Sequence, residues 1–215
     1  MRYERKFIVE ENISKRISNF LLENKFIKEY PTRNINSIYY DSLDFLSFFE
    51  SEEGISDRSK LRIRFYDDPK KLFLEEKIKN TDIGQKFVNS LDKVCKESLF
   101  NFYLKNCDNC AFSVSVPQKL SYQIPSLFVS YKRDYFKNSD DNIRITIDYK
   151  LGFGRVRNGS SLIHSPLNFK CDFGVLEAKY ASNNENLYVL DKLINLFSLT
   201  LTRCSKYCYG INTCY

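Results

Sequence analysis

Basic residues recur at alternate positions of strand-like runs in this chain. The clearest runs are Arg62-Ile63-Arg64 and Lys77-Ile78-Lys79, and further cations lie in strand-like runs at Arg133, after Tyr131, and at Arg144, in Arg144-Ile-Thr-Ile-Asp148. Side chains two residues apart in a β-strand project from the same face. Several such strands with cations on one face would line a shared cavity, and clustered cations repel one another unless anions compensate. The pattern therefore favours a phosphate-rich ligand, although for any single strand the simpler interpretation is the solvated face of an ordinary antiparallel sheet.

Two glutamates occupy the same strand faces as some of these cations. Glu4 shares a face with Lys6, and Glu177 shares a face with Lys179. Carboxylates are hard oxygen ligands for Mg²⁺ or Mn²⁺, which bridge to phosphate oxygens. Phosphoryl transfer requires mainly positioning and charge stabilisation from the protein. A cavity with many cations and one or two metal-binding carboxylates is therefore sufficient for that chemistry.

Other catalytic sites have little support in the sequence. There is no P-loop motif and no Gly-x-Gly-x-x-Gly motif. His164 is the only histidine and lies in a Ser/Asn/Gly-rich segment, which disfavours a Ser/His/Asp or Cys/His arrangement. Cys107-x-x-Cys110 and Cys204-x3-Cys208 have zinc-like spacing, but they are far apart and lack the usual knuckle context. Nucleic-acid binding through the 18 Phe and 15 Tyr stays open, although most of these aromatics fall at core-like positions.

Composition predicts one folded domain over residues 1–215. The chain is 43% hydrophobic, and its 33 basic against 27 acidic residues give a formal charge of +6, which favours anionic partners. No apolar run is long enough to span a membrane, and the N-terminus has no secretory signal. We therefore expect no transmembrane segment and a cytoplasmic protein with free thiols.

Hydrophobic periodicity predicts strands separated by helices and turns. The expected strands are 2–9, 35–41, 60–67, 71–79, 126–136, 142–149 and 171–180. The expected helices are 13–25, capped by Asn12, then 43–49 and 186–197, with further helices in 89–124. Pro31 is expected to break the chain, and residues 155–166 to form a loop or weak hairpin. Turns are expected at Gly152, Gly154 and Gly159. The predicted fold is α+β, an antiparallel eight-stranded β-barrel with peripheral helices packed on its apolar face.

Several short motifs, in this order, resemble a known family over nearly the whole chain. They are Tyr3-Glu4-Arg5-Lys6, Ser37-Ile-Tyr-Tyr-Asp41, Leu61-Arg-Ile-Arg64, Leu74-Glu-Glu-Lys77, Tyr131-Lys-Arg133, Arg144-Ile-Thr-Ile-Asp148, Leu176-Glu-Ala-Lys-Tyr180 and Ser205-Lys-Tyr207. The chain resembles the triphosphate tunnel metalloenzyme superfamily, and within it the catalytic domain of the vacuolar transporter chaperone (VTC) polyphosphate polymerases. The resemblance implies an eight-stranded antiparallel tunnel that binds triphosphate or polyphosphate with Mn²⁺ or Mg²⁺.

The resemblance also implies a role for individual residues. The implied phosphate-binding residues are Lys6, Arg62, Arg64, Lys77, Lys86, Tyr131, Arg133, Arg144 and Lys206. Glu177 matches the metal-binding glutamate, and Glu4 is a second candidate that would bind metal or orient Lys6. The implied partners are ATP and inorganic polyphosphate, with no specific nucleic acid.

One departure bears on the reaction. The adenylate cyclase and thiamine-triphosphatase branch has Glu-x-Glu-x-Lys in its first strand, and here Arg2 replaces the first Glu. An extra cation favours a polymerase that transfers the ATP γ-phosphate to a polyphosphate chain. An inorganic triphosphatase or polyphosphatase of the same fold and a non-catalytic polyphosphate-binding protein are the alternatives.

Overall fold

The computed structural model describes residues 2–80, 83–91, 123–138, 142–156, 167–181 and 187–215. The strands are β1 (Arg2–Glu10), β2 (Phe26–Asp41), β3 (Arg58–Tyr66), β4 (Leu72–Asn80), β5 (Ile83–Leu91), β6 (Ile124–Asn138), β7 (Ile143–Arg155), β8 (Phe169–Lys170) and β9 (Phe173–Ala181). The helices are α1 (Ser14–Glu23), α2 (Leu46–Glu52), α3 (Tyr188–Leu196) and α4 (Lys206–Cys214), with a 3₁₀ turn over Glu11–Ile13. No described helix has both the length and the apolar character needed to cross a membrane.

The strands form one sheet, which confirms the predicted α+β class. They are hydrogen-bonded in the order β1-β9-β7-β6-β2-β3-β4-β5, and β8 pairs with β7 outside this path. The pairs β1–β9, β7–β9, β3–β4 and β4–β5 are antiparallel. On the edge of β1 away from β9, Leu201 bridges Phe7, and the Thr202 amide donates to the Lys6 carbonyl at 2.9 Å. The other edge of β1 is thus occupied by this segment.

The chain divides into two compact units. The first unit comprises Met1–Ile35, Ser130–Gly152 and Lys170–Ser205, and the second comprises Asn36–Val129, Phe153–Phe169 and Lys206–Tyr215. Strands β2, β6 and β7 each contribute a segment to both units.

In the first unit, helices cover the apolar face of β1, β9 and β7. Ile17, Phe20 and Leu21 recur at helical spacing on α1, and Leu190 and Leu193 do so on α3. They pack with the buried strand residues Phe7, Val9, Ile143, Ile145, Ile147, Leu176 and Ala178. The prediction that helices pack on the apolar strand face, opposite the charged residues, is confirmed in this unit.

In the second unit, the apolar residues of β3 lie opposite its arginines, as predicted. Leu61, Ile63 and Phe65 are buried with Ile38, Tyr40, Leu72 and Phe128. Burying one such side chain contributes roughly 1.5–3 kcal/mol, whereas an exposed ion pair contributes about 0–1 kcal/mol. Slipping β3 by one residue would expose all three apolar residues. Apolar burial, rather than ion pairing, therefore determines which face carries the charges.

Two predicted boundaries in the N-terminal third are wrong. Asn12 does not cap α1, because the chain enters the helix through the 3₁₀ turn and Ile13 occupies the cap position without a side-chain hydrogen bond. The Glu11 amide donates instead to the carbonyl of Asp172 at 3.0 Å, which ties this turn to the start of β9. Pro31 does not break the chain, since β2 runs through it: the proline ring is compatible with extended backbone and removes only one donor.

The glycines and the C-terminal residues also depart from expectation. Gly152 and Gly154 lie inside β7, where the fully buried Leu151 and Phe153 favour continuation of the strand. Strand β5 and helix α4 were not predicted. The helices expected in 89–124 fall outside the described residues except at 89–91, which are β5, and at 123–124. The Cys107-x-x-Cys110 pair, His164 and most of the 155–166 loop also lie outside the described residues.

Candidate functional site

In the first unit, the pairing of three strands arranges charged side chains in rows. Lys6 lies directly opposite Glu177, which lies opposite Thr146, and Glu4 lies opposite Lys179, which lies opposite Arg144. Directly opposed residues in an antiparallel pair have Cβ atoms about 4.5–5.5 Å apart. Five of the six side chains in these two rows are charged, on the face opposite the apolar core.

Glu177 is a nearly buried carboxylate of this face that is paired with a lysine. Its Oε1 lies 2.7 Å from Lys179 Nζ, and the side chain is 13% exposed. Burial disfavours its charged form, but the charges of Lys179, Lys6 and Arg133 outweigh burial and lower the Glu177 pKa to about 2. The carboxylate is therefore ionised at neutral pH.

Glu4 is linked to the same cations. Its Oε1 lies 2.8 Å from Lys6 Nζ and its Oε2 lies 3.8 Å from Lys179 Nζ. Burial works against the charged form of Lys6, yet Glu177 and Glu4 raise the pKa of this lysine. The two lysines and two carboxylates thus form one charge network on β1 and β9.

Arg133 and Tyr131 are held beside this network on β6. Arg133 donates to both oxygens of the buried Asp148, from Nε at 2.5 Å and from Nη2 at 2.7 Å, and its guanidinium lies 5.4 Å from the Tyr131 ring centroid. Burial opposes the charge of Arg133, but Asp148 raises its pKa. A Cβ at Gly174 would lie 2.4 Å from the Asp148 carbonyl oxygen, so only glycine permits this approach of β9 to β7.

The donor set of the first unit fits a hard divalent cation. Glu4 and Glu177 both reach Lys179 Nζ, so their carboxylates converge on one region. The buried Thr146 hydroxyl has no hydrogen-bond partner among the described residues and lies opposite Glu177. No group of three His, Cys, Asp or Glu side chains in the described part of the chain could hold a metal. Mg²⁺ is usually bound by one or two carboxylates together with substrate phosphates, rather than by protein ligands alone. The two carboxylates Glu4 and Glu177 fit that kind of site.

In the second unit, three cations surround one buried carboxylate, Glu75, which is 3% exposed. Its Oε2 accepts from Arg62 Nε at 2.8 Å and lies 3.5 Å from Arg64 Nη1, and its Oε1 accepts from Lys86 Nζ at 2.8 Å. Burial raises the pKa of a carboxyl, but Arg64, Arg62 and Lys86 outweigh it and lower the Glu75 pKa to about 2. Glu75 therefore holds the three cations in place and compensates only one of their three positive charges.

Lys77 joins this group through strand register. It lies directly opposite Lys60 on β3 and Lys86 on β5, next to the row that contains Arg62 and Glu75. The row therefore consists of three like charges, Lys60, Lys77 and Lys86. Like charges directly opposed across strands are destabilising unless an anion compensates.

Alternate residues of β2 position these arginines. The Ser37 hydroxyl accepts from Arg64 Nε at 3.2 Å, and the Tyr39 hydroxyl accepts from Arg62 Nη1 at 2.8 Å. Burial raises the pKa of a phenol, but Arg62, Arg64 and Lys206 outweigh it and lower the Tyr39 pKa to about 8. A buried tyrosine hydroxyl is thus part of the cationic cluster.

Asp41, the last residue of β2, anchors α4 and with it Lys206. Asp41 accepts from the Ser47 and Phe48 amides at 2.8 and 3.0 Å, which caps α2, and it accepts a hydrogen bond from the Tyr207 hydroxyl. Burial and Asp41 both raise the pKa of Tyr207, whose ring stacks on Tyr39 at 5.0 Å. Because Lys206 precedes Tyr207 at the start of α4, this anchor sets its position.

The structure places every site residue that the sequence indicated in one of two groups. Glu4, Lys6, Tyr131, Arg133, Arg144 and Glu177 belong to the first unit, and Arg62, Arg64, Lys77, Lys86 and Lys206 belong to the second. Sequence reasoning missed Tyr39, Glu75 and Asp41 as site residues. The signal was present in the alternation of Ser37, Tyr39 and Asp41, and in the position of Glu75 two residues before Lys77.

Solved structures with this fold cover nearly the whole chain at low sequence identity. A putative adenylate cyclase from Bacillus halodurans is 14% identical with a TM-score of 0.58, and the match covers 95% of this chain and 94% of that chain. A Hippeastrum protein, described as a putative adenylyl cyclase with a dominant triphosphatase activity, is 12% identical with a TM-score of 0.56, over 100% and 97%. A Pyrococcus horikoshii protein is 11% identical with a TM-score of 0.55, over 100% of both chains.

These solved structures share the fold of this chain. No curated protein sequence matches the chain significantly. The family model described as the VTC domain matches residues 1–215. The chain therefore belongs to the VTC domain family.

Proposed function

We propose that this protein is a metal-dependent polyphosphate polymerase. It transfers the γ-phosphoryl group of ATP to the terminal oxygen of an inorganic polyphosphate chain: the bond to the β-phosphate oxygen breaks, ADP leaves, and the chain grows by one unit. The observation that carries this proposal is the ionised Glu177 between Lys6 and Lys179, beside a second carboxylate, Glu4.

The charged groups of each unit have a task in this reaction. Arg62, Arg64, Lys77, Lys86 and Lys206 provide cations for phosphate oxygens, and the planar guanidinium groups suit bidentate binding. In the other unit, Lys6, Arg133 and Arg144 do the same, while Tyr131 supports the Arg133 guanidinium. Glu177 and Glu4 would hold Mn²⁺ or Mg²⁺, which supplies positive charge to the phosphate oxygens. Positioning and charge stabilisation account for most phosphoryl-transfer catalysis.

The test is incubation of the protein with ATP and Mn²⁺, followed by gel separation of the products. We expect a polyphosphate ladder for the wild type and a loss of about 100-fold in rate for Glu177→Gln, as for removal of one electrostatic stabiliser. Glu23→Gln on the exposed end of α1 is the matched control and should keep full activity. Absence of any ladder from the wild type, with Mn²⁺ and in a parallel incubation with Mg²⁺, would refute polymerase activity.

A triphosphatase is the second candidate, because the Hippeastrum neighbour is described with that activity and the same cations would bind triphosphate. It predicts release of orthophosphate from inorganic triphosphate without chain growth, and the same Glu177→Gln variant should abolish the release. If the protein only binds polyphosphate without catalysis, neither product should form. Polyphosphate binding should then persist in Glu177→Gln.

A further inference from the structure

The cationic face of β3, β4 and β5 extends beyond the residues assigned to phosphate binding. Strand register places seven cations and one carboxylate, Glu75, on this face. The cations are Arg58, Lys60, Arg62 and Arg64 on β3, Lys77 and Lys79 on β4, and Lys86 on β5. Seven cations against one carboxylate give this face a formal charge of +6.

These residues form successive rows across the three strands. The row of Arg62 and Glu75 is followed by the row of Lys60, Lys77 and Lys86, and then by the row of Arg58 and Lys79. Rows on one face are two residues apart, which is roughly 6.6 Å along each strand. The positive charge therefore continues about 13 Å past the arginine cluster toward the end of the β4–β5 hairpin.

Lys60 is connected to the same cluster by direct contacts. Its Nζ lies 3.6 Å from Cys208 Sγ and 5.6 Å from the centroid of the Tyr207 ring. The Tyr207 ring stacks on Tyr39, whose hydroxyl accepts from Arg62. Lys60 thus lies on the side of β3 where Arg62 and α4 meet, in agreement with its place in the strand register.

We propose that Lys60 and Lys79 form a further phosphate subsite for inorganic polyphosphate, which binds the part of the chain beyond the phosphates held by Arg62 and Arg64. This inference rests on the proposed function, since it assigns the polymer to the same site. Lys60 and Lys79 then determine preference for a long chain over triphosphate. A nucleic acid fits this face less well than polyphosphate does. Single-stranded nucleic-acid sites combine cations with aromatic side chains on which bases stack, whereas the two outer rows contain only Arg, Lys and Gly84.

Calorimetric titration with inorganic triphosphate and with long-chain polyphosphate, in the absence of ATP and metal, tests this subsite. For the double variant Lys60→Gln/Lys79→Gln we expect about 100-fold weaker binding of long-chain polyphosphate, which is about tenfold for each lost hydrogen bond to a charged group. Binding of triphosphate should change less than twofold. Lys70→Gln/Lys71→Gln, in the exposed β3–β4 turn, makes the same change in net charge and should leave both affinities unchanged.

Three results would overturn the proposal. Equal weakening of both ligands would make the two lysines general contributors of charge, and unchanged binding of the polymer would remove them from the site. Tighter binding of a single-stranded oligonucleotide than of polyphosphate would assign the face to nucleic acid. Unchanged triphosphate binding by the glutamine variant separates the expected loss from a folding defect, and Lys60→Arg/Lys79→Arg, which keeps the charge, should retain polymer binding.

The titration also separates this inference from the proposed catalysis, because it requires no turnover. A wild type that forms no ladder, together with a length-dependent loss in the variant, would refute the polymerase and support the subsite. A wild type that forms a ladder, together with a variant that binds the long chain normally, would refute the subsite alone.

Discussion

Replacement of Glu75 by glutamine should destabilise the second unit strongly at neutral pH. The side chain accepts from Arg62 and Lys86 and lies 3.5 Å from Arg64 Nη1, which belongs to a residue only 5% exposed. Glutamine keeps the shape of the side chain and removes its charge. Arg64 would then lose the carboxylate beside it, and breaking a buried pair in this way costs about 3–5 kcal/mol.

The pKa of Glu75 gives an independent magnitude. Its value of about 2 in the folded protein lies below the ordinary 4.5 of a glutamate. A depression of this size corresponds to about 3 kcal/mol of stability. Because the folded pKa is the lower one, the contribution is fully present above about pH 4.5 and is lost as the pH falls toward 2.

Urea unfolding followed by circular dichroism measures this contribution. With a slope of roughly 2–3 kcal/mol per molar, Glu75→Gln should lower the midpoint by about 1 M at neutral pH. The difference from wild type should shrink as the pH approaches about 3, where wild-type Glu75 begins to protonate.

Glu76→Gln provides the matched control, because Glu76 is the neighbouring residue on the opposite face of β4. Burial raises its pKa, so its charged form is disfavoured in the folded protein. We expect Glu76→Gln to change the free energy of unfolding by less than about 0.5 kcal/mol. Equal midpoints for the two variants at neutral pH, or a Glu75→Gln difference that does not depend on pH, would refute the role assigned to Glu75.

Three further predictions concern tyrosines and glycines. Tyr39 should ionise with a pKa of about 8, so the free energy of unfolding should increase as the pH rises from about 8 toward 10. In an ultraviolet titration this ionisation should be absent from Tyr39→Phe and present in every other tyrosine variant. Tyr207→Phe leaves a buried carboxylate without its phenol donor and should cost about 1–3 kcal/mol in urea unfolding, whereas Tyr209→Phe on the exposed side of α4 should cost far less. Gly174→Ala would place Cβ against a backbone oxygen of β7 and should lower the melting temperature. Gly84→Ala, with open space around it, should leave the melting temperature unchanged. Equal melting temperatures of the two variants would contradict the close approach of the strands.

Most of the fold was predictable because strand periodicity is strong in this chain. The alternation in β3, β7 and β9 correctly separated buried apolar residues from the charged residues of the other face. Predictions failed where tertiary packing overrides a local preference. Gly152 and Gly154 normally indicate turns, but the burial of Leu151 and Phe153 on the same strand outweighs that preference.

The site could be predicted only in part. The motifs indicated Lys6, Arg62, Arg64 and Glu177, because cations and carboxylates on alternate positions are visible in the sequence. They did not indicate Asp41 as the anchor of α4, since its partner Tyr207 is 166 residues away. The Arg2 argument for polymer synthesis also stays a prediction, because the Arg2 side chain lies outside the described residues.

The sequence by itself determined which side chains share a face, because the two-residue period of a strand is a local property of the backbone. Only the tertiary structure decided which residues lie opposite one another. Register across strands placed Lys60, Lys77 and Lys86 in one row and placed Glu75 among Arg62, Arg64 and Lys86. Register depends on the burial of apolar residues that are distant in the chain, so the same alternation was equally compatible with a solvated sheet. Strand pairing brings the cations next to Glu75 and Glu177, and these neighbouring charges lower the pKa of both carboxylates.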